Sequence, residues 1–374
     1  MADLHQRFKA ADQIPAADLV EAVRERLTNI QGGLPWALPS ARPEEPRRPG
    51  REIARRMLTI AAALAISAVA LGFVFRALGQ VGTSPAGPPI AFDQVRGWIA
   101  YGGDQIVAVD PTDPTRRIAL TEPGQWLEAP LAWASDGSRL LFSRRPSDGD
   151  APADLFVLDR DGTEVRVATD AEPFGGASFS PRGTQVVYVG VDKSIFVVDA
   201  AGGEARLLVA GDPTDKWYPR PAWSPDGTTI AYATYEDRTV LWLMDADGTS
   251  ARPIFDVAEA LPGWGGGAEG LAWSPDGLHL AFAEGAGANH SEIFVVNADG
   301  TDPVRLTRSG SYTWNAYPSW SPDGERVAFL RLQEGHIRVS TVKLDGSGLQ
   351  ELLAFDDDPV FVAWNPVTPT GASS

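Results

Sequence analysis

The sequence predicts an all-β fold: six four-stranded blades closed into a ring. Three observations predict it. An aromatic residue followed by Ser-Pro-Asp-Gly recurs in full at Trp223–Gly227, Trp273–Gly277 and Trp320–Gly324. Looser copies stand at Trp133-Ala134-Ser135-Asp136-Gly137, Phe179-Ser180-Pro181-Arg182-Gly183 and Trp364-Asn365-Pro366. The six aromatic positions are 46, 44, 50, 47 and 44 residues apart, the period of blade-sized repeats.

Each copy implies the same local structure. A short segment ends in the aromatic residue, as in Pro221-Ala222-Trp223. Proline then fixes φ for a type I turn, and glycine takes the left-handed position that closes it. Apolar runs follow, such as Thr229–Tyr232, Leu280–Phe282 and Val327–Phe329, with the patterning of half-buried strands. Third strands are expected at 154–159, 194–199, 240–245, 292–297 and 338–344, each ending near a turn containing glycine. A fourth strand, such as Val304–Thr307, completes the unit.

The first repeat departs from this scheme. Residues 97–101, 106–110 and 116–120 supply three strands with no aromatic-turn strand ahead of them. Residues 360–364 supply that missing strand with no blade behind it. Pairing the two ends closes the ring and removes the exposed edges that template aggregation.

This pattern resembles the WD-like β-propeller repeats of TolB-type proteins, over roughly residues 92–366. The resemblance implies a six-bladed propeller acting as a binding or scaffolding module, without naming a ligand. Departures at Ala134, Ser135, Arg182 and Asn365 touch single turns only.

Ahead of the propeller, Met57 to Phe75 holds no charged residue. Nineteen residues at about 1.5 Å each reach roughly 28 Å, close to a hydrocarbon core of about 30 Å. Arg47, Arg48, Arg51, Arg55 and Arg56 crowd the upstream side, and Arg76 alone follows closely. Residues 55–78 are therefore expected to cross the membrane once, with the N-terminus cytoplasmic and the propeller extracytoplasmic. More than 50 residues precede the span, which argues against a signal peptide.

Residues 1–54 read as a cytoplasmic tail. Leu19, Val23 and Leu27 share a face of a short helix over Pro15–Leu27, and a Pro/Arg/Glu-rich linker follows. The stretch around Ile14-Pro15 and Asp18-Leu19-Val20 looks similar to short tails of bacterial membrane-tethered regulators, some of which bind sigma factors. That resemblance implies a cytoplasmic regulator as partner. Residues 79–91 form a second linker, and 367–374 a disordered tail.

The chain carries 32 basic and 49 acidic residues, a formal charge of −17. The imbalance lies beyond Arg76, with 21 basic against 41 acidic residues. This disfavours nucleic acid and anionic headgroups as partners of the propeller. Much of the charge falls in Asp-Gly turns, where aspartate serves turn geometry. The absence of cysteine excludes disulfides, thiolate metal sites and a cysteine nucleophile. High Ala, Arg, Gly and Pro usage is that of a GC-rich bacterium.

Catalytic patterns are scarce. There is no Gly-x-Ser-x-Gly elbow and no Walker sequence. Gly265–Gly270 fits Gly-x-Gly-x-x-Gly but precedes a strand, where a dinucleotide fingerprint must follow one. Asp245–Gly248 and Asn297–Gly300 place glycine fourth and read as hairpin turns rather than calcium loops. Asp356-Asp357-Asp358 is the densest acidic cluster and leaves a calcium reading open. The four histidines, His5, His279, His290 and His336, form no catalytic constellation. No metal or cofactor is expected.

The loops leading into each inner strand carry aromatics: Trp126, Trp217, Tyr218, Trp264, Trp314 and Tyr317. These are the candidate ligand-binding residues, on one face of the ring with the loops of His290 and His336. The function expected is non-catalytic binding of an extracytoplasmic protein, peptide or glycan. A sensor signalling through the tail is its extended form. The alternative is a channel-metal enzyme, lactonase- or cyclotransferase-like, which needs carboxylates, asparagine or histidine converging on the inner strands.

Overall fold

The computed structural model describes residues 92–147, 151–172, 175–211, 220–235, 237–264, 267–285, 290–355 and 361–368. The tail at 1–54, the span at 55–78, the linker at 79–91, the acidic cluster at 356–358 and His5 lie outside them, as does most of the tail at 367–374. Among the described residues no helix is long and apolar enough to cross a membrane.

Six antiparallel sheets of four strands each form the ring. Blade 1 holds β1 (Ile99–Tyr101), β2 (Val107–Asp110) and β3 (Asp113–Ala119). Blade 2 runs β4 (Trp126–Trp133), β5 (Arg139–Pro146), β6 (Ala153–Asp159) and β7 (Glu164–Ala171). Blade 3 runs β8 (Ala177–Phe179), β9 (Gln185–Val189), β10 (Ile195–Asp199) and β11 (Arg206–Val209). Blade 4 runs β12 (Ala222–Trp223), β13 (Thr229–Tyr235), β14 (Thr239–Asp245) and β15 (Arg252–Asp256). Blade 5 runs β16 (Ala268–Trp273), β17 (His279–Gly285), β18 (Ser291–Asn297) and β19 (Val304–Arg305). Blade 6 runs β20 (Thr313–Trp320), β21 (Arg326–Gln333), β22 (His336–Lys343) and β23 (Gln350–Phe355).

The inner strand of blade 1 is β24 (Val362–Trp364), which pairs with β1 through Ile99–Trp364 and Tyr101–Val362. The ring therefore closes by the pairing of its two ends, as the repeat arithmetic requires. Trp364 Nε1 also donates to the Gly97 carbonyl at 2.7 Å, a bond across 267 residues.

The Ser-Pro-Asp-Gly turns have a single chemistry. Ser224, Ser274 and Ser321 each donate to the aspartate two residues on, at 2.6, 2.5 and 2.5 Å. The same hydroxyl accepts the amide of the residue five positions on, Thr229, His279 or Arg326. Gly227, Gly277 and Gly324 have φ of 75°, 72° and 71°, the left-handed region glycine enters without a Cβ penalty. In the outer hairpins, Asp161, Asp247, Asp299 and Asp345 accept the amides of Thr163, Thr249, Thr301 and Ser347 at 2.8–3.0 Å. A large share of the acidity is thus turn geometry. The hairpins at Asp245–Gly248 and Asn297–Gly300 are turns of this kind.

Adjacent inner strands are tied by the repeat aromatics. The indoles of Trp133, Trp273 and Trp320 donate to the carbonyls of Ala363, Ala222 and Ala272 in the preceding blade, at 3.2, 3.0 and 3.1 Å. Where serine replaces that alanine, the tie changes. Ser178 and Ser319 accept the backbone N–H of Trp223 and Trp364, both at 2.8 Å.

Candidate functional site

By strand direction, the Ser-Pro-Asp-Gly turns and the outer Asp-Gly hairpins share one face. The inner strands begin at the other face. The six inner strands enclose a channel of about 410 Å³, walled mainly by the repeat aromatics and the small residues before them. Three positions before each aromatic stands a mouth layer: Pro130, Gly176, Arg220, Gly270, Tyr317 and Phe361. All but Pro130 line the channel.

This layer is lopsided. Gly176 and Gly270 have φ of 76° and 89°, and Tyr317 has φ of 58° at the corresponding place in blade 6. Each of the pairs β16–β17 and β20–β21 breaks register at this point. A left-handed backbone is ordinary for glycine and costs about 1–2 kcal/mol for a residue with a Cβ. Tyrosine here stores strain, a recurrent property of functional positions.

What holds Tyr317 is its ring. It packs on Phe361 with centroids 4.2 Å apart, and the Arg220 guanidinium stands 5.3 Å from its centroid. Arg220 stands ahead of β12 in blade 4 and reaches Tyr317 of blade 6, two blades on. A Cβ at Gly270 would lie 2.8 Å from Tyr317 Cα and 2.7 Å from Pro318 Cδ. The glycine is what lets the Tyr317–Pro318 backbone of the next blade approach this closely.

Arg220 is 5% exposed, and its Nε and Nη1 are buried without a hydrogen-bond acceptor. Glu269 is the neighbouring carboxylate, and it takes the Trp314 indole N–H at 2.6 Å. It keeps partial contact with solvent but is surrounded by protein on the scale over which charge is felt. That burial pushes its pKa up, against the Arg220 charge and the Trp314 bond, which pull it down. Burial likewise pushes the Tyr317 phenol up to about 12, helped by the Glu269 charge and opposed by Arg220. The hydroxyl is therefore neutral at any physiological pH.

The predicted aromatics divide. Trp217 and Tyr218 lie outside the described residues. Trp126, Trp314 and Tyr317 belong to β4 and β20 rather than to loops, because these inner strands run several residues past the turn pattern. Trp314 and Tyr317 meet at the mouth through Glu269 and Arg220. Trp126 is 46% exposed at the outset of β4. Trp264 is packed: its ring stands 4.9 Å from Phe294 and 5.4 Å from His290, with Arg305 4.9 Å over it. It is half-buried, packed against the core of blade 5. Arg220, Glu269 and Phe361 were not singled out from the sequence.

Two further buried carboxylates hold blades together. Glu128 of β4 receives the Thr121 hydroxyl at 2.5 Å and Arg144 Nε at 2.6 Å. Asn315 is its counterpart on β20, five residues before the aromatic. There the carboxylate is instead Glu292 of β18, which receives Thr307, Ser309, Asn315 and Arg305. Both are saturated by donors. Glu128 and Glu269 do stand on inner strands, but at different heights. Among the described residues no three His, Cys, Asp or Glu side chains converge as metal ligands.

No family model matches the chain. It is similar to TolB of Acinetobacter baumannii, with a TM-score of 0.59 and 16% identity over 72% of this chain and 66% of that one. It is similar to a putative TolB of Agrobacterium tumefaciens, with a TM-score of 0.54 and 20% identity over 72% of this chain and 99% of that one. The fold is a TolB-like six-bladed β-propeller. In sequence, an uncharacterised protein of Agrobacterium fabrum is 27% identical over 254 residues, 64% of this chain and 80% of that protein. The Tol-Pal system protein TolB of Anaeromyxobacter dehalogenans is 31% identical over 101 residues. That match spans 27% of this chain and about a fifth of the TolB sequence.

Proposed function

We propose that the protein is a membrane-tethered, non-catalytic binding propeller of the cell envelope, which receives a partner protein or peptide at the channel mouth. Residues 55–78 anchor it, the tail at 1–54 stays in the cytoplasm, and the propeller faces outward. Engagement outside is relayed to a cytoplasmic regulator through the tail. The likeness to TolB, a component of the Tol-Pal system by its name, supports an envelope role.

The observation that carries the reading is Tyr317. A fold built from repeats offers glycine at this position twice, yet here a strained tyrosine is held against a buried arginine. Aromatic rings with polar tips, rigidly placed, are the usual anchors of recognition surfaces. The test is affinity capture from envelope extract with the full-length chain in detergent, beside Tyr317→Asn. Asparagine tolerates the left-handed backbone and removes the ring. A partner kept by the wild type and lost by an equally stable variant supports the reading. Equal retention, or no partner with either, overturns it.

A further inference from the structure

We propose that the channel mouth is a carboxylate-receiving site, in which Arg220 takes the anion while Tyr317 and Phe361 flank the apolar body attached to it. The proposal rests on the binding reading above and names the chemistry of what binds.

The guanidinium supplies the first argument. Arginine stays charged at all working pH, so burial cannot be relieved by deprotonation. In a buried position such a group is normally paired, and its N–H groups are normally bonded. Arg220 departs on both counts. Among the described residues no carboxylate stands within ion-pair distance of it, and Nε and Nη1 find no acceptor. Among the described residues its polar neighbours include a neutral phenol and Glu269, whose charge is felt from beyond 4 Å.

The second argument is exchange. A neutral phenol oxygen is a weaker acceptor for guanidinium N–H than a carboxylate, whose two oxygens match the planar fork. A ligand carboxylate replacing the Tyr317 hydroxyl would trade one neutral contact for two charge-assisted ones. The channel behind offers about 410 Å³ with apolar walls, which fits an aromatic or aliphatic body.

The third argument selects the anion. Among the described residues Arg220 is the only basic residue lining the channel, and Glu269 lies beside it. A phosphate dianion would bring two negative charges to a single cation, with Glu269 beside it. A singly charged carboxylate meets a matched partner and has Glu269 as its internal competitor.

The test uses the full-length protein and three probes, followed by ligand-observed NMR titration: benzoate, its neutral analogue benzamide, and inorganic phosphate. Benzoate should bind the wild type on the order of 10- to 100-fold more tightly than benzamide, the worth of charge-assisted bonds. Arg220→Gln should reduce benzoate to the benzamide level, and Arg220→Lys should recover part of the loss. Glu269→Gln should tighten benzoate by removing the competing charge. Thermal unfolding of each variant shows that the loss is not unfolding.

Equal binding of benzoate and benzamide, no binding of benzoate, or preference for phosphate overturns the proposal. So does a folded Arg220→Gln that keeps wild-type affinity. The two readings separate cleanly. Partner capture unaffected by Arg220→Gln refutes the carboxylate anchor and leaves the binding module. Benzoate binding that depends on Arg220, without any captured partner, supports the anchor and refutes the protein-binding reading.

Discussion

Replacing Arg220 with methionine should make the protein more stable. Methionine keeps the apolar stem of the side chain and removes the guanidinium. Two buried nitrogens, Nε and Nη1, lack acceptors, and an unmet buried donor costs about 1–3 kcal/mol. Against this stands the loss of the contact 5.3 Å over the Tyr317 ring, worth roughly 0.5–2 kcal/mol. Glu269 also loses a cation that steadies its charge, which moderates the gain further. The balance is a stabilisation of about 1–3 kcal/mol, within the range seen when buried ions are replaced by apolar groups. For a domain of this size that is roughly 2–6 °C in Tm. Differential scanning calorimetry of the two full-length proteins measures it directly. A fall in Tm of similar size would show the guanidinium to be a structural clamp. It would remove the stability-for-function argument on which the mouth site leans.

Three further outcomes follow from the geometry. Trp133→Phe forfeits the indole bond to the Ala363 carbonyl and should cost about 1 kcal/mol more than Trp223→Phe, whose indole N–H has no acceptor to lose. Urea midpoints of the pair test this. Glu269 has a folded pKa above its unfolded value, so its burden is absent at low pH and grows as pH rises through the folded pKa. Glu269→Gln should therefore flatten the decline in stability above the ordinary glutamate value of 4.5, and an unchanged profile would contradict it. Asp226 is the opposite case: the Ser224 hydroxyl bond first, then the Thr228 amide, hold its pKa down. Its contribution is present above the unfolded pKa and is lost as pH falls through the folded one. Asp226→Asn should soften the acid limb of a stability curve below the ordinary aspartate value of 3.8.

The blades were legible because each carries its own punctuation. Trp-Ser-Pro-Asp-Gly encodes a strand end, a turn with fixed φ and a left-handed residue, and the structure uses every member of it. Closure through Val362–Trp364 was legible for the same reason, as a motif with no blade behind it. The inner strands were not legible upstream of the turn. At Ala316–Ser319 and Ala268–Leu271 a register break interrupts the alternation by which strands are recognised. Trp314 and Tyr317 consequently read as loop residues. Arg220 sits in Pro-Arg-Pro-Ala, a context with no periodic signal, and the ring it meets, Tyr317, lies almost a hundred residues away. Glu269 stood inside a glycine-rich run whose dinucleotide reading was set aside, and that run hid an inner-strand start. Trp264, an aromatic near a glycine run, is half-buried and packs on Phe294, a contact no local pattern announces.

The pairing of β24 with β1 also sets a timetable. The partner of Ile99 is Trp364, so blade 1 stands three-stranded through the making of every later blade. Each intermediate length of the chain presents β1 as an open edge, and the Gly97 carbonyl waits for an indole 267 residues downstream. Loop-closure entropy places that contact late, after local hairpins have formed. Completion of the ring thus waits for residues 362–364. A polypeptide arrested short of residue 361 would hold five finished blades, an open β1 edge and no closed circle.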